Sequence, residues 1–267
     1  MLKNRLIPVL FLKNGFLVRS RGFDLHQSLG NPVTQVERYN DWDVDELIYI
    51  DITDYSLNDE EVQLRSDLGS NKGMQTSDIN KIFNFVSSKC FMPLTFGGGI
   101  KNIEQAREKF ELGADKIVIN SQALKEPSFI TKLANIFGSQ AIVVSVDVKI
   151  SDDKYLVYSD LGSKNSNKDP LSWCREVEDL GGGEIFLNSI DRDGSAQGYD
   201  IKLIASISSQ IKIPLIACGG VGDFKHFSEG INEGGAAAVA AGNIFNFKEL
   251  AYPLAKKFLL DKGLNFR

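Results

Sequence analysis

The 267-residue chain has few of the residue types that build metal and redox sites. Its three cysteines, Cys90, Cys174 and Cys218, lie far apart without a CxxC pair, and the only histidines are His26 and His226. A structural zinc site needs four nitrogen or sulfur ligands, so we expect no metal, and no other cofactor is indicated. An odd number of scattered cysteines is typical of the reducing cytoplasm, where we expect the protein to reside.

Long runs of one charge and long apolar segments are also missing. The 30 Lys and Arg residues are scattered among 35 Asp and Glu residues, which gives a net charge of −5. This balance argues against a nucleic-acid partner or an anionic membrane surface. A short apolar run near the N-terminus begins after Lys3 and Arg5 and precedes no cleavage site of small residues. We therefore interpret it as the first strand and not as a signal peptide.

The residues that are present predict an α/β fold. Short apolar or β-branched runs alternate with longer segments of helical period, the order that builds parallel sheets with crossover helices. Eight strands are predicted at 5–11, 47–52, 94–96, 116–119, 141–147, 184–188, 214–217 and 237–241. Helices are predicted between them, for example at 102–112, 127–137, 170–180 and 247–260. This number of βα pairs favours a single (β/α)₈ TIM barrel over 1–267 instead of an open sheet.

The two halves of the chain resemble each other, which predicts a half-barrel internal repeat. TFGGGI at 95–100 matches IACGGVG at 216–222, and Gly99 and Gly220 are 121 residues apart, whereas Glu46 and Glu184 are 138 apart. The difference of 17 indicates an insertion at about 54–75, in the loop after strand two. A disordered surface loop and a functional lid are both compatible with it. A second polar stretch, 151–169, suits a small hairpin over the same face.

Glycine-rich turns follow the predicted strands in both halves, where backbone N–H groups can bind phosphate. The first set is Gly97, Gly98 and Gly99 with Asn120 and Ser121, and the second is Asp193, Gly194, Gly219, Gly220, Ala241 and Gly242. Tight βα turns need glycine in any case, so one set alone is weak evidence. Two related sets predict a ligand with two phosphates that spans the barrel mouth.

Three carboxylates, Asp51, Asp147 and Asp193, stand at the C-terminal ends of predicted strands, where barrel enzymes place their chemistry. Asp147 ends an apolar strand, so we expect partial burial to raise its pKa toward neutrality and to suit it to proton transfer. A loop carboxylate that caps the following helix is an equally good interpretation from the residues alone.

Four charged residues stand at the opposite ends of the strands. They are Arg5, Glu46, Lys116 and Glu184, two of each sign, and we expect them to close a neutral ring across the barrel floor. Ion pairs on this face ordinarily stabilise the fold.

These motifs resemble the cyclase (HisF-type) subunit of imidazole glycerol phosphate synthase, in the HisA/HisF barrel family, over nearly the whole chain. The matching stretches are VDELIYIDIT, TFGGGI, GADKIVIN, FGSQAIVVSVD, GGGEIFLNSIDRDGSAQGYD and GNIF. The resemblance implies a heterodimer with a HisH-type glutaminase docked on the barrel floor. Ammonia would pass along the barrel axis to the mouth, where it reacts with a bisphosphorylated ribotide to give imidazole glycerol phosphate and an aminoimidazole carboxamide ribotide.

Carried over residue by residue, the resemblance assigns roles to three groups. One phosphate would be bound by Gly99, Asn120 and Ser121, and the other by Asp193, Gly194, Gly220, Ala241 and Gly242, with Arg19 in place of a loop lysine. Asp147 would be one of two catalytic aspartates, and Asp115 would face the glutaminase. The ring of Arg5, Glu46, Lys116 and Glu184 matches the family's ammonia gate at all four positions, which shifts its interpretation from stability to function.

Phe11 stands where the family has its second catalytic aspartate, and a phenyl ring cannot transfer a proton. Asn188, Cys218 and Gly242 replace a threonine and two serines of the family pattern. We therefore expect a paralogue that supplies ammonia for amidination of surface-polysaccharide sugars, with a sugar amidotransferase as a second partner. Two alternatives stay open. One is a histidine-pathway cyclase that works through Asp147 alone, and the other is a non-catalytic scaffold that activates the glutaminase.

Overall fold

The computed structural model describes residues 3–54, 78–247 and 249–267. Its strands are β1 (Arg5–Lys13), β2 (Phe16–Arg21), β3 (Leu25–Gly30), β4 (Leu47–Asp51), β5 (Leu94–Gly97), β6 (Lys116–Ile119), β7 (Ile142–Ser151), β8 (Lys154–Ser159), β9 (Lys164–Asn165), β10 (Glu184–Ser189), β11 (Leu215–Cys218) and β12 (Ala238–Ala241). Eight of them, β1, β4 to β7 and β10 to β12, pair in parallel with their neighbours, and β12 pairs with β1 to close the barrel. The predicted (β/α)₈ fold is confirmed, and every predicted barrel strand is present.

The helices lie between the strands and cover the barrel. They are α1 (Pro32–Asp41), α2 (Ile79–Lys89), α3 (Ile103–Glu111), α4 (Ser121–Lys125), α5 (Ser128–Phe137), α6 (Pro170–Asp179), α7 (Ile201–Ser208), α8 (Phe224–Asn232), α9 (Asn243–Phe247) and α10 (Ala251–Asp261). Several begin where the sequence offers a cap: Asn31 and Asp169 accept backbone hydrogen bonds, and a proline follows each of them. Among the described helices, none has the length and hydropathy needed to cross a membrane.

Two predicted segments differ from the structure or lie outside it. The last helix, predicted at 247–260, begins only at Ala251, because Leu250 adopts a left-handed conformation with φ of 54° and separates α9 from α10. The predicted insertion at about 54–75 lies, apart from its first residue, outside the described residues.

The strands bury both faces because alternate side chains point to opposite sides of the sheet. One set, for example Leu6 and Leu10 on β1, packs outward against the helices. The other set points into the barrel, and its apolar members are Ile7, Val9, Phe11, Ile48, Val118, Val143, Phe186, Ile216, Cys218, Ala238 and Ala240. The interior is thus filled by apolar side chains between the floor and the mouth.

In each half of the barrel, a glycine that follows one strand packs closely against the backbone at the end of the preceding barrel strand or a neighbouring one, at the mouth. A Cβ at Gly98, after β5, would lie 2.1 Å from the Asp51 carbonyl oxygen, and a Cβ at Gly219, after β11, would lie 2.7 Å from that of Ser189. Both glycines also have positive φ angles, 101° and 94°. Only glycine fits such positions, so packing alone explains these two glycines.

Two hairpins extend barrel strands above the mouth. The first, β1–β2, turns at Asn14 and Gly15, both with positive φ, as a two-residue type I′ turn requires, and continues into β3. This hairpin was not predicted, although an Asn-Gly pair between apolar runs is its usual signal. The second, β7–β8 with β9, lies in the predicted polar stretch 151–169 and confirms the hairpin expected there.

Candidate functional site

The four charged residues predicted at the barrel floor lie in contact. Arg5 donates a hydrogen bond to Oε2 of Glu46 at 2.6 Å and also contacts Glu184. The Lys116 Nζ lies 3.0 Å from Oε1 of Glu46 and 2.9 Å from Oε2 of Glu184, so each charge has two partners of opposite sign. Thr95 adds a hydrogen bond to Glu46 at 3.2 Å. The result is a closed, neutral, largely buried ring.

Burial and charge act against each other in this ring. Burial alone would raise the pKa of Glu46, but Lys116 and Arg5 outweigh it and hold that pKa below its usual value. Conversely, the two glutamates overcome the effect of burial on Arg5 and raise its pKa. Glu46 and Arg5 therefore stay ionised inside the ring, and loss of any one member would take away one of the two partners of each neighbouring charge.

At the mouth, Asp147 is the central carboxylate, 9% exposed and near the middle of β7. It accepts hydrogen bonds from Ser145 Oγ at 2.9 Å and from Asn120 Nδ2 at 2.8 Å. The pKa of Asp147 is raised to about 7, chiefly by burial and in part by the nearby charge of Asp193, whereas hydrogen bonds from Ser145 and Asn188 act to lower it. A carboxyl group with this pKa can both give and take a proton at neutral pH.

This pKa predicts how the stability of an Asp147→Asn variant depends on pH. The unfolded carboxyl, with a pKa near 3.8, is ionised at pH 5, whereas the folded one keeps its proton until about pH 7. The wild type therefore loses stability as pH rises toward 7, and asparagine, which cannot ionise, does not. We measure the free energy of unfolding of the variant minus that of wild type by urea titration. This difference should become more positive by about 2–3 kcal/mol between pH 5 and pH 8.

The matched control is Asp152→Asn, the same chemical change at an exposed turn residue. Its stability relative to wild type should not change over the same pH interval. A pH-independent difference for Asp147→Asn would contradict the raised pKa.

Two asparagines flank Asp147 and leave acceptor atoms unused. The side-chain oxygens of Asn120, after β6, and Asn188, on β10, are buried and have no hydrogen-bond partner among the described residues. The Asn120 amide nitrogen is turned to Asp147 and to the Ser145 carbonyl, so its side chain orients the carboxylate. Sequence reasoning placed Asn120 only in a phosphate site and did not detect this contact.

The first predicted phosphate cluster is open to a ligand. Gly99 has a φ of 67°, and a Cβ at this position would meet open space, so its backbone is accessible. Ser121 begins α4, and its Oγ accepts a hydrogen bond from the Asp160 N–H of the second hairpin at 3.0 Å. The structure thus places Gly99, Asn120 and Ser121 at the mouth ends of β5 and β6.

The second predicted cluster is covered by the first hairpin. Asp193 accepts a hydrogen bond from Ser20 Oγ at 2.7 Å, and its carbonyl accepts one from Gly22 N–H at 3.1 Å. A Cβ at Gly194 would lie 2.7 Å from the Ser20 carbonyl, which also accepts a hydrogen bond from Asn243 at 2.9 Å. Arg19 lies half-buried on β2 of the same hairpin. The Asp193 carboxylate therefore holds the hairpin, a contact that the sequence pattern does not show.

The remaining members of that cluster have packing reasons of their own. Gly220 lies so close to Gly198 that a Cβ at Gly220 would be 2.1 Å from the Gly198 carbonyl oxygen. Ala241 is the buried last residue of β12, and Gly242 follows it before α9. These residues meet at the mouth ends of β11 and β12, opposite the first cluster around the barrel.

Phe11 turns its ring into the barrel interior near the mouth. It is 8% exposed and belongs to the inner apolar cluster together with Val9 and Cys218. A Cβ at Gly242 would lie 3.8 Å from Phe11 Cε2, so the ring extends toward the second cluster. The place implied for an acid is filled by an apolar group.

The predicted partner face at the floor carries one exposed aromatic residue that sequence reasoning missed. Asp115 accepts a hydrogen bond from Leu94 N–H at 2.8 Å, just below β5. Phe91, three residues before Leu94, is 88% exposed beside a cleft of about 310 Å³ that Met92 and Lys256 also line. An exposed phenyl ring on this face is a candidate anchor for a partner.

Sequence comparisons agree with this geometry. Residues 5–251 match the family model described as "Histidine biosynthesis protein". The chain belongs to this family. Within the family, the chain is 40% identical to imidazole glycerol phosphate synthase subunit HisF of Chloroherpeton thalassium. That alignment covers the full length of both chains. It is 38% identical to the protein from Vibrio vulnificus named putative imidazole glycerol phosphate synthase subunit hisF2, covering all of this chain and 92% of that one. The resemblance to HisF-type subunits is thereby confirmed.

Proposed function

We propose that this HisF-type subunit receives ammonia from a HisH-type glutaminase on its floor and delivers it at its mouth to an acceptor outside the histidine pathway. The observation that carries the proposal is Phe11, an apolar ring in the position implied for the second catalytic acid. Cyclisation needs a proton donor and a proton acceptor, and of the two catalytic aspartates that the resemblance implies only Asp147 is present. Amidination of surface-polysaccharide sugars by a separate sugar amidotransferase is the acceptor reaction that we infer.

The layers inside the barrel support passage of ammonia. The charged ring at the floor is followed by an apolar layer that includes Ile48, Val118 and Phe186. Above it lie the polar groups around Asp147. A desolvated ammonium ion would pay a large penalty in the apolar layer, whereas neutral ammonia would not. The barrel would thus select the nucleophilic form.

The remaining site residues keep their inferred roles. Gly99, Asn120 and Ser121 would bind one phosphate of a ligand, and Asp193, Gly194, Gly220, Ala241 and Gly242 the other, with Arg19 supplying positive charge. Asp115 and Phe91 would contact the glutaminase. A scaffold that only activates the glutaminase accounts for the floor but gives no role to the phosphate clusters at the mouth.

The proposal is tested with purified chain, a HisH-type glutaminase and the ribotide substrate of the synthase. We expect the chain to stimulate glutamine hydrolysis, yet to form negligible imidazole glycerol phosphate from ammonium salt or from glutamine. The HisF subunit of Chloroherpeton thalassium serves as the positive control. Substantial product from this chain would instead identify a histidine-pathway cyclase, and failure to bind or stimulate the glutaminase would contradict the proposal.

A further inference from the structure

The half-barrel repeat extends to one polar side chain in each half that the proposed function leaves without a role. Gln105 lies on α3, after the glycine turn 97–101 of the first phosphate cluster. His226 lies on α8, after the glycine turn 218–222 of the second. We call these segments the first turn and the second turn. Gln105 and His226 are 121 residues apart, the separation of the repeat, and each is the third residue of its helix.

Both side chains accept hydrogen bonds from the backbone that precedes their helix. Gln105 Oε1 accepts one from the Lys101 N–H at 2.8 Å. His226 Nδ1 faces the N–H groups of Gly222 and Asp223, each at 3.2 Å. Lys101 and Gly222 are themselves 121 residues apart, so the same contact recurs in both halves. A ring nitrogen that faces two N–H donors must be an acceptor, so Nδ1 of His226 carries no proton.

The residue that caps each helix returns the contact. Asn102 Oδ1 accepts a hydrogen bond from the Gln105 N–H at 2.8 Å, and the Asp223 side chain accepts one from the His226 N–H. Reciprocal bonds of this kind usually involve glutamate or glutamine at the third position of the helix. Gln105 follows that rule. His226 supplies an imidazole nitrogen where glutamine would serve the same purpose.

The two turns are segments whose backbone needs to be held in place. Each contains three glycines, and Gly99 and Gly220 have positive φ angles of 67° and 105°. Glycine loses more conformational freedom than any other residue when it is fixed in one conformation. Backbone N–H groups bind a phosphate together only if they already point toward a common centre. A side chain that fixes the turn therefore lowers the entropic cost of binding.

His226 also supports the neighbouring loop of the second phosphate cluster. The His226 side chain is buried, and its Nε2 lies 3.3 Å from the point where a Cβ of Gly198 would lie. The Gly198 N–H donates a hydrogen bond to the Gly220 carbonyl at 2.7 Å. The ring thus packs beneath the end of the loop 193–198, which begins with Asp193 and Gly194 of that cluster.

We propose that Gln105 and His226 are positioning residues for the two phosphates of the ligand. Each holds the backbone of one turn in the conformation that binds phosphate, and acts through that turn. The inference rests on the proposed function, which gives Gly99 and Gly220 to the two phosphates, and adds two residues that belong to neither cluster. Because each side chain contacts the turn before its own helix, the two phosphate sites should respond to substitution separately.

The test titrates the full-length, isotope-labelled chain with inorganic phosphate at constant pH. The backbone amide NMR signals of Gly99 and Gly220 then give one dissociation constant for each turn. We expect Gln105→Ala to weaken binding at Gly99 alone by about 5-fold, the effect of one lost helix cap. His226→Ala should weaken binding at Gly220 alone by a similar factor. His226→Gln should bind as wild type at both turns, because glutamine makes this contact in the other half.

The two alanine variants are matched controls for each other. Equal losses at both turns in either variant would indicate a general loss of stability and would overturn the positioning role, as would unchanged binding at both turns. Binding by His226→Gln as weak as that of His226→Ala would overturn the role of Nδ1 as an acceptor.

A measurement on the wild type needs no variant to fold. Nitrogen NMR of the imidazole of His226 should show a proton on Nε2 and none on Nδ1. His26 is the only other histidine in the sequence, so a His26→Gln sample assigns the signal. A proton on Nδ1 of His226 would overturn the proposal for the second turn.

Failure of this inference can be told from failure of the proposed function. A wild-type chain that binds phosphate at neither turn would overturn both the positioning residues and the phosphate clusters. Stimulation of a HisH-type glutaminase is measured separately and does not depend on these turns. Normal phosphate binding without that stimulation would overturn the supply of ammonia and leave the positioning role supported.

Discussion

Lys116→Met is expected to lower the free energy of unfolding by about 2–4 kcal/mol, the largest stability effect of a single substitution predicted for this chain. Lys116 neutralises Glu46 and Glu184 at once, at 3.0 and 2.9 Å. Its removal leaves two buried carboxylates with Arg5 as the one remaining cation of the ring. Urea unfolding at pH 7 measures the effect, and lowering the pH should recover part of the loss because the stranded glutamates can then take up protons.

The control is an ion pair of the same type on the surface. Lys132 contacts Glu126 at 2.5 Å, but its side chain is 52% exposed. Solvent screens such a pair, so Lys132→Met should cost much less stability than Lys116→Met. Similar losses for the two variants would mean that burial of the ring contributes nothing.

The same substitution tests passage of ammonia. We consider an assembly of the chain with the glutaminase and the sugar amidotransferase. If ammonia crosses the ring, Lys116→Met or Glu184→Gln should raise severalfold the ratio of glutamate formed to amidated product formed. A scaffold that merely activates the glutaminase would show no such leak. Each variant keeps three of the four ring residues. Folding and binding to the glutaminase are therefore checked for each variant before the ratio is measured.

The barrel and its floor could be predicted from sequence because they depend on local and periodic signals. Strand residues bury both faces, so apolar runs mark the strands, and a charged residue at the start of four of them marks one end of the interior. The place of Arg5 and Glu184 on the floor follows from their position as the first residues of their strands, without reference to distant contacts. In a closed parallel barrel the starts of all strands lie at the same end, so charged residues at strand starts that point inward come together there.

The arrangement of the mouth could not be predicted in the same way. Asp193 holds Ser20, 173 residues away in sequence, and no local pattern encodes that hydrogen bond. The orientation of Asn120 toward Asp147 likewise depends on the packing of β6 beside β7. The first hairpin is different, because its Asn14-Gly15 turn is a local sequence signal that predicts a hairpin without any distant contact.

Phe11→Asp is expected to raise formation of imidazole glycerol phosphate from ammonium salt and ribotide by about 100-fold over the negligible wild-type rate, the usual contribution of one general acid or base. The new carboxylate would replace a ring that extends toward Gly242, so the substitution also opens space beside the second phosphate cluster. Steady-state assays with purified chain and ammonium salt measure the gain without a glutaminase.

Two matched variants show whether the gain is due to the acid. Phe11→Asn opens the same space without a titratable group and should leave turnover at the wild-type level. The double variant Phe11→Asp with Asp147→Asn should lose the gain, since cyclisation then again has one acid. The new aspartate lies among Val9, Cys218 and other apolar side chains, so some loss of stability is expected, and turnover is compared only for samples that remain folded. If folded Phe11→Asp shows no gain, the pocket has changed its acceptor as well as its chemistry, which would place the divergence in Asn188 and Cys218 as much as in Phe11.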